Sequence, residues 1–169
     1  MTCEIVDTNV VLVANGQHKD VSPDCVAACA LRLQKIMQSG KLALDDQFLI
    51  LLEYQNKTTP KHSARPGDAF VKWALQNSAN ADRVDCIPII EHPERGYESF
   101  PNNAELTNFD PPDRKFVAVA CAHPDKPPIL QAADSKWLGW SAALNTHAVT
   151  VDFLCPKDIA RFQSNKGGG

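Results

Sequence analysis

The chain has 169 residues, the length of one domain, and 17 Lys and Arg against 20 Asp and Glu give it a formal net charge of −3. Apolar residues make up 44% and charged residues 22% of the chain, which argues against a disordered protein, a collagen or a coiled coil. The slight acidity also argues against a protein that coats nucleic acid through bulk charge, but not against an enzyme that grips phosphate through metal ions.

Strand-like and helical patterns alternate along the chain. The predicted strands are short apolar runs, and the predicted helices have apolar residues three and four apart. In chain order we predict a strand at 3–7, an apolar element at 10–14, a helix at 23–39, a strand at 41–44, helices at 47–56 and 68–76, a strand at 84–90, a loop at 91–112, a helix from 113, a strand at 129–132, a helix at 135–144 and a strand at 148–154. This order predicts a single three-layer α/β/α domain at 1–156 with a mainly parallel central sheet, followed by a polar, glycine-ended tail at 157–169.

The 6 cysteines form no CxxC pair, and the first residues lack the basic and apolar regions of a signal peptide. No apolar run approaches the roughly 20 residues of a membrane span. We therefore expect a cytoplasmic protein without membrane contact, whose cysteines are reduced and mostly buried. Cys25 and Cys29 share a helix face, but no further ligand follows at zinc-finger spacing, so a zinc site is not predicted.

Carboxylates stand at or after the ends of several predicted strands. Asp7 ends the first strand, Glu53 lies in the helix after the second, Asp113 opens a helix and Asp134 follows the fourth strand. Ligands of parallel α/β sheets bind beyond the carboxyl ends of the strands, so these side chains are expected to converge. Clustered carboxylates repel one another unless cations bridge them, and hard oxygen ligands suit Mg²⁺ or Mn²⁺.

Helix capping is the simpler interpretation of some of these acids, because an Asp before a helix is often an N-cap. The aspartates that fit this role are Asp45, Asp46, Asp113 and Asp134. Capping explains Asp7 less well, because it ends a β-branched run and is followed by Thr8 and Asn9. Glu53 interrupts an apolar helix face. The order and spacing of the whole set therefore indicate a site better than any single acid does.

The ordered acids resemble those of the PIN-domain nuclease family. The matching segments are IVDTNV at 5–10, LLEY at 51–54, DRKFVAVA at 113–120 and ILQAADSKW at 129–137. The last two acids are 134 − 113 = 21 residues apart, which fits a helix and a strand between them. Two features depart from the family pattern. Glu53 comes late after its strand, which makes Asp45 an alternative to it, and the insertion at 91–112 is long.

This resemblance implies a metal-dependent endoribonuclease that hydrolyses RNA phosphodiester bonds by a two-metal-type mechanism. Asp7, Glu53, Asp113 and Asp134 would bind Mg²⁺ or Mn²⁺. The resemblance assigns supporting roles to Thr8 and Asn9, and further candidates for support are Asp45 and Asp152. Many family members are toxins of toxin–antitoxin systems, so the resemblance implies an antitoxin or regulatory protein as partner and is compatible with a homodimer.

An acidic protein that binds RNA needs local positive charge, and basic residues lie close in sequence to the proposed ligands. They are Lys57, Lys61, His62, Arg65, Arg114, Lys115 and Lys136. Solvated surface charge explains any single one of them equally well.

Three other functions stay open. A non-catalytic PIN-like binding or scaffold module would share the fold without using the acids. A haloacid-dehalogenase-like phosphatase needs a second Asp two residues after its nucleophile, where this chain has Asn9. A response-regulator receiver needs an acid pair at the first strand and a Lys at the last, and this sequence has neither at a recognisable position.

Overall fold

The computed structural model describes residues 1–61 and 64–167, so the predicted substrate contact His62 and the last two glycines of the predicted tail lie outside the described residues. In chain order the elements are β1 (Cys3–Val6), α1 (Thr8–Ala14), α2 (Pro23–Ser39), β2 (Lys41–Asp45), α3 (Leu49–Lys57), α4 (Pro66–Asn77), β3 (Val84–Ile87), β4 (Glu91–His92), β5 (Gly96–Tyr97), α5 (Arg114–Ala122), β6 (Ile129–Gln131), α6 (Lys136–Asn145), β7 (Val151–Phe153) and α7 (Pro156–Gly167). Short 3-10 helices occupy Ala104–Leu106 and Pro111–Asp113.

A five-stranded parallel sheet in the order β3-β2-β1-β6-β7 forms the centre of the domain, and helices flank it. This arrangement confirms the predicted α/β class and the mainly parallel sheet. The three central strands are almost wholly buried, because helices cover both faces of a parallel sheet. Helix α5 packs on β1, β2 and β6, whereas α1, α2 and α4 pack against one another.

Local capping sets where the helices at the carboxyl edge of the sheet begin. Asp7 is the N-cap of α1, and its Oδ2 accepts a hydrogen bond from the Asn9 amide at 2.9 Å. The apolar element predicted at 10–14 is therefore helical from Thr8 onwards. Phe48 has a left-handed backbone (φ 58°), so α3 begins at Leu49 rather than at the predicted position 47.

The insertion at 91–112, predicted as a loop, contains the antiparallel hairpin β4–β5 and the two 3-10 helices. The Arg114 guanidinium organises it by donating hydrogen bonds to the carbonyls of Arg95, Thr107 and Phe109 at 2.9–3.1 Å. Side-chain-to-backbone bonds of this kind leave no periodic signal in the sequence, which is why the order of this segment was not predicted.

The prediction that the cysteines are reduced is wrong for Cys25 and Cys155. Cys25, in the first turn of α2, forms a disulfide with Cys155, which directly precedes α7, and their Cα atoms are 5.2 Å apart. The two cysteines are 130 residues apart in sequence, so only the fold brings them together. Of the free cysteines, Cys29 is buried, whereas Cys3 and Cys121 are half-buried and Cys86 is exposed.

The segment predicted as a polar tail forms helix α7 as far as Gly167. The Asp158 carboxylate accepts hydrogen bonds from the Ser22 amide at 2.7 Å and the Ser22 hydroxyl at 2.8 Å, which fixes α7 to the start of α2. The centroids of the Phe162 and His18 rings are 6.3 Å apart. Among the described residues, no helix is both long and apolar enough to cross a membrane.

Candidate active site

Asp7 is the buried centre of the carboxyl edge. It follows β1 directly, is 5% exposed, and its side chain accepts a hydrogen bond from the Asn9 amide at 2.9 Å. Burial, followed by the charges of Asp113 and Glu53, raises its pKa to about 8, although hydrogen bonds from the Asn9 amide and Gln131 lower it. A buried carboxyl in this state gains from any cation that comes beside it.

Asp113 and Asp134 extend the acidic edge from Asp7. Asp113 lies at the start of α5, and burial, then the charges of Glu53 and Asp134, raise its pKa to about 6. Asp134 follows β6, and its side chain accepts a hydrogen bond from the amide of Lys136, the first residue of α6, at 3.1 Å. These mutual effects place the four predicted ligands close enough to influence one another's charge.

Glu53 is held from two sides. The Thr8 hydroxyl donates to Glu53 Oε2, and Lys115 Nζ lies 3.0 Å from Oε1. Both side chains of the ion pair are largely buried, with 11% exposure for Lys115 and 17% for Glu53. The Lys115 ammonium also donates to the carbonyl of Pro112. A fixed positive charge therefore stands within the acidic edge and partly compensates it.

Gln131 belongs to the site although its sequence position did not reveal it. It ends β6, is fully buried, and fixes its Oε1 by accepting a hydrogen bond from the Ala132 amide at 3.0 Å. Its Nε2 has no hydrogen-bond partner among the described residues, and its amide lowers the pKa of Asp7, so the two side chains lie together. The sequence feature that could have indicated this role is a polar residue at the end of an otherwise apolar strand.

The four carboxylates are spread along the edge rather than gathered around one point. Among the described residues, the groups that bring three candidate ligand atoms within 4.8 Å of one another do not include these acids. Carboxylates repel one another when no cation lies between them.

Asp45 and Asp152, named above as supporting residues, make other contacts. Asp45 is fully buried and accepts hydrogen bonds from the amides of residues 47, 49 and 50 at 2.9–3.2 Å, so it caps the turn into α3. Asp152 lies on β7, 3.4 Å from Arg32, which also pairs with Glu4 at 2.5 Å. Asn9, by contrast, accepts a hydrogen bond from the Ala133 amide at 3.2 Å, beside Asp134.

The basic residues divide into those with structural partners and those near the acids. Arg114 binds backbone carbonyls of the insertion, and Arg65 pairs with Asp68 at 2.8 Å. Lys136 pairs with Asp110 at 3.3 Å, and its side chain is 58% exposed. Lys57 and Lys61 are exposed.

Two shallow surface depressions flank the acids. One has Glu53, Lys57 and Lys115 in its wall together with Leu52 and Tyr97. The other is lined by Asn9, Asp134 and Lys136 together with His18 and Phe162, so α7 forms part of its wall. Each depression therefore includes one of the four acids and combines a basic group with apolar surface.

Comparison with known proteins returns no relatives: no protein-family model matches the chain, and neither does any curated protein or solved structure.

Proposed function

We propose that this protein is a metal-dependent endoribonuclease whose centre is formed by Asp7, Glu53, Asp113 and Asp134. The observation that carries the proposal is Asp7, a carboxyl that is 5% exposed and has Asp113 and Glu53 as charged neighbours, whose effect hydrogen bonding to the Asn9 amide and Gln131 does not offset. Such a group lacks a counter-charge, which a divalent cation would provide.

The donor set fits Mg²⁺ or Mn²⁺. All four side chains offer carboxylate oxygens, which are the ligands that these hard cations prefer. When bound, the cations would lower the pKa of a water and stabilise the leaving oxygen of a phosphodiester. On this proposal Asp7 and Asp113 are the inner ligands, and Asp134 and Glu53 are the outer ones.

The surrounding residues of the chain would orient these ligands and the substrate. Thr8 and Lys115 fix the two oxygens of Glu53, and Asn9 fixes the backbone before Asp134. Lys136 is exposed beside Asp134 and would meet substrate phosphates. A single strand of RNA lying across the edge would meet both flanking depressions.

The proposed setting follows from the substrate. An enzyme that cleaves cellular RNA would act in the cytoplasm, and an antitoxin or regulatory protein would hold it inactive if it is a toxin or part of a defence system. Such a partner would cover the same edge as the RNA, and a second copy of the chain is the other partner that we propose.

A non-catalytic binding module is the second candidate. The observation that favours it is the Lys115–Glu53 ion pair, since an ammonium already compensates one of the four acids. In that case the edge would bind a partner by charge and shape, and its affinity for divalent cations would be weak.

Cleavage of end-labelled single-stranded RNA and DNA, each with Mn²⁺, Mg²⁺ or EDTA, tests the proposal. We expect RNA cleavage that requires metal and is lost in both Asp7→Asn and Asp113→Asn. Asp152→Asn is the matched control, because Asp152 is a carboxylate of the same sheet that pairs with Arg32.

Full activity of Asp7→Asn would refute the site assignment. Absence of cleavage together with absence of metal binding would favour the binding module instead. Metal-dependent cleavage of DNA but not of RNA would support the site assignment and show that the substrate is DNA.

A further inference from the structure

Three cysteine sulfurs meet on the side of the domain where α7 joins α2. Cys25 and Cys29 are one helical turn apart on α2, and Cys155 directly precedes α7. Cys25 and Cys155 are joined by the disulfide, and Cys29 Sγ lies 3.9 Å from Cys155 Sγ. All three side chains are at most 4% exposed, and the three sulfur atoms lie within 4.8 Å of one another.

The spacing of these sulfurs suits a thiolate-bound metal ion once the disulfide is open. An ion that binds thiolates at about 2.3 Å with tetrahedral angles holds its sulfur atoms about 3.8 Å apart. The Cys29–Cys155 separation of 3.9 Å already has this value. Reduction of the disulfide would allow rotation about the Cα–Cβ bonds of Cys25 and Cys155 to move their sulfur atoms apart towards the same separation.

A surface depression gives access to this three-cysteine cluster. Among the residues that line it are Ser22, Asp24, Cys25, Cys155 and Lys157, so two of the three cysteines border it. Water from this depression would complete a four-coordinate ion as its fourth ligand. Thiolates are soft ligands, and they select zinc and other thiophilic ions over Mg²⁺.

A second group, Cys3, Asp85 and His123 at the amino ends of the strands, is less suited to a metal. The Asp125 amide donates to His123 Nδ1 at 3.0 Å, so the ring proton lies on Nε2 and is donated to Asp85 at 2.9 Å. Lys41 Nζ, 2.6 Å from the other oxygen of Asp85, already supplies the positive charge. Hydrogen bonds therefore satisfy this group without an ion.

We propose that Cys25, Cys29 and Cys155 form a site for a thiophilic d¹⁰ ion such as Zn²⁺, which the reduced protein binds and the oxidised protein excludes. A thiol reductant supplies two electrons and two protons to the Cys25–Cys155 bond, gives two thiols and is itself oxidised to a disulfide. Binding of the ion then releases the three thiol protons. Hydrogen peroxide reverses the exchange: it takes two electrons from the Cys25 and Cys155 thiolates and two protons from solvent and becomes two waters, the disulfide forms again, Cys29 takes up a proton from solvent, and the ion leaves.

Both states hold α7 in place, and α7 borders the depression beside Asp134 through Phe162. The reduced, metal-free state would lose this tie and keep only the noncovalent contacts of α7, among them the hydrogen bonds of Asp158 and Arg161, the buried Ile159 and the Phe162–His18 ring contact. The site therefore links the redox state and the zinc supply to one wall of the acidic edge, although its existence does not depend on the nuclease proposal.

Titration of the reduced full-length chain with Cd²⁺ tests the site, because a thiolate–cadmium charge-transfer band reports sulfur ligands and is silent for carboxylates. We expect the band to saturate at one equivalent of Cd²⁺ in reduced wild type and to be absent in oxidised wild type. Cys29→Ser keeps the disulfide pair but removes one sulfur, and it should weaken Cd²⁺ binding at least 10-fold, about the effect of losing even an outer-shell partner. Cys121→Ser and Cys3→Ser are the matched controls, and they should keep the band.

A reduced protein with titratable thiols but no band would overturn the proposal. So would a band that survives in Cys29→Ser and disappears in Cys3→Ser, because the ion would then lie at the other group. The melting curve of oxidised Cys29→Ser shows whether that variant folds. If it does not fold, counting sulfur ligands by X-ray absorption on the wild-type Cd²⁺ complex decides: fewer than three sulfurs would contradict the site.

Discussion

Two buried aspartates of this protein have opposite surroundings. Asp68, at the start of α4, is 1% exposed and accepts hydrogen bonds from Asn15 Nδ2, the Thr59 amide and Arg65 Nε at 2.8–3.0 Å. Burial alone would raise its pKa, but these donors outweigh burial and lower it. Asp7 is also deeply buried, but hydrogen bonding to the Asn9 amide and Gln131 does not offset burial and the neighbouring acids, and its pKa rises to about 8.

This difference in surroundings indicates different roles for the two carboxylates. Asp68 has enough donors to stabilise its charge, so its role is to join α1 and α4. Asp7 lacks them, so the folded protein carries repulsion at the carboxyl edge that a bound cation would relieve. Buried charge that the protein itself leaves uncompensated is typical of functional sites.

The largest expected effect is that of replacing Asp7, which should lower activity without lowering stability. Asp7→Asn should reduce the rate of RNA cleavage by about 1000-fold, or about 4 kcal/mol in the barrier, because the site loses an inner metal ligand. The melting temperature at pH 8 should be unchanged or higher, since one repelling charge is gone. Initial cleavage rates and thermal melts of the same preparation measure both effects, and a large loss of stability would contradict this assignment.

Replacing Asp68 should have the opposite effect. Asp68→Ala leaves the Arg65 guanidinium and the donors of Asn15 and Thr59 without their partner, and it should lower the free energy of unfolding by about 3 kcal/mol. Urea unfolding measures this value. The exposed Asp82 is the control, and Asp82→Ala should change the free energy of unfolding by less than about 0.5 kcal/mol. Equal effects of the two substitutions would mean that the Asp68 contacts do not stabilise the fold.

The dependence of stability on pH should report Asp7 and Asp113. Their pKa values are about 8 and about 6 in the folded protein and 3.8 for an ordinary Asp, so the folded state keeps protons that the unfolded state releases. The free energy of unfolding contributed by these groups therefore falls as the pH rises from about 4 to about 8. Asp68 has a lowered pKa, and its contribution is lost only when the pH falls below 3.8.

Thermal melts between pH 5 and pH 8 measure this trend. Saturating Mn²⁺ at pH 8 should restore stability by about 3 kcal/mol at 100 times its Kd. Asp7→Asn should flatten the pH dependence and reduce the effect of Mn²⁺, whereas a wild-type melting temperature that is flat from pH 5 to pH 8 would show that the acids do not repel one another.

The smallest of these effects concerns Lys115. Lys115→Met removes the ammonium that lowers the pKa of Asp113, so that pKa should rise and the metal-free protein should lose stability at pH 8. Added Mn²⁺ should then stabilise this variant more than wild type. Lys115→Arg keeps the charge and serves as the control. Identical stabilisation of the two variants by Mn²⁺ would show that the charge of Lys115 does not affect the acids of the edge.

The fold was predictable because its signals are local. Ser22 and Gly40 mark the ends of α2 as predicted, and the alternation of apolar runs and helical patterns gave the parallel sheet. The predicted start of α3 was less accurate, because the left-handed backbone at Phe48 places the first helical residue later, at Leu49. That conformation carries no sequence signal in a bulky residue.

The site was only partly predictable, because its remaining features depend on tertiary contacts. The order of the acids indicated the carboxyl edge, but the roles of Gln131 and of the Lys115–Glu53 pair depend on contacts across 124 and 62 residues. Likewise, no local pattern indicated the Cys25–Cys155 disulfide. Asp45 looked like an alternative ligand in sequence, and its three backbone hydrogen bonds instead make it a cap.

Calorimetric titration with Mn²⁺ tests most directly whether the acidic edge is a metal centre. Wild type at neutral pH should bind Mn²⁺, Asp7→Asn should lose most of that binding, and Asp152→Asn should retain it. Binding that is equal in all three proteins, or absent from wild type, would contradict the account.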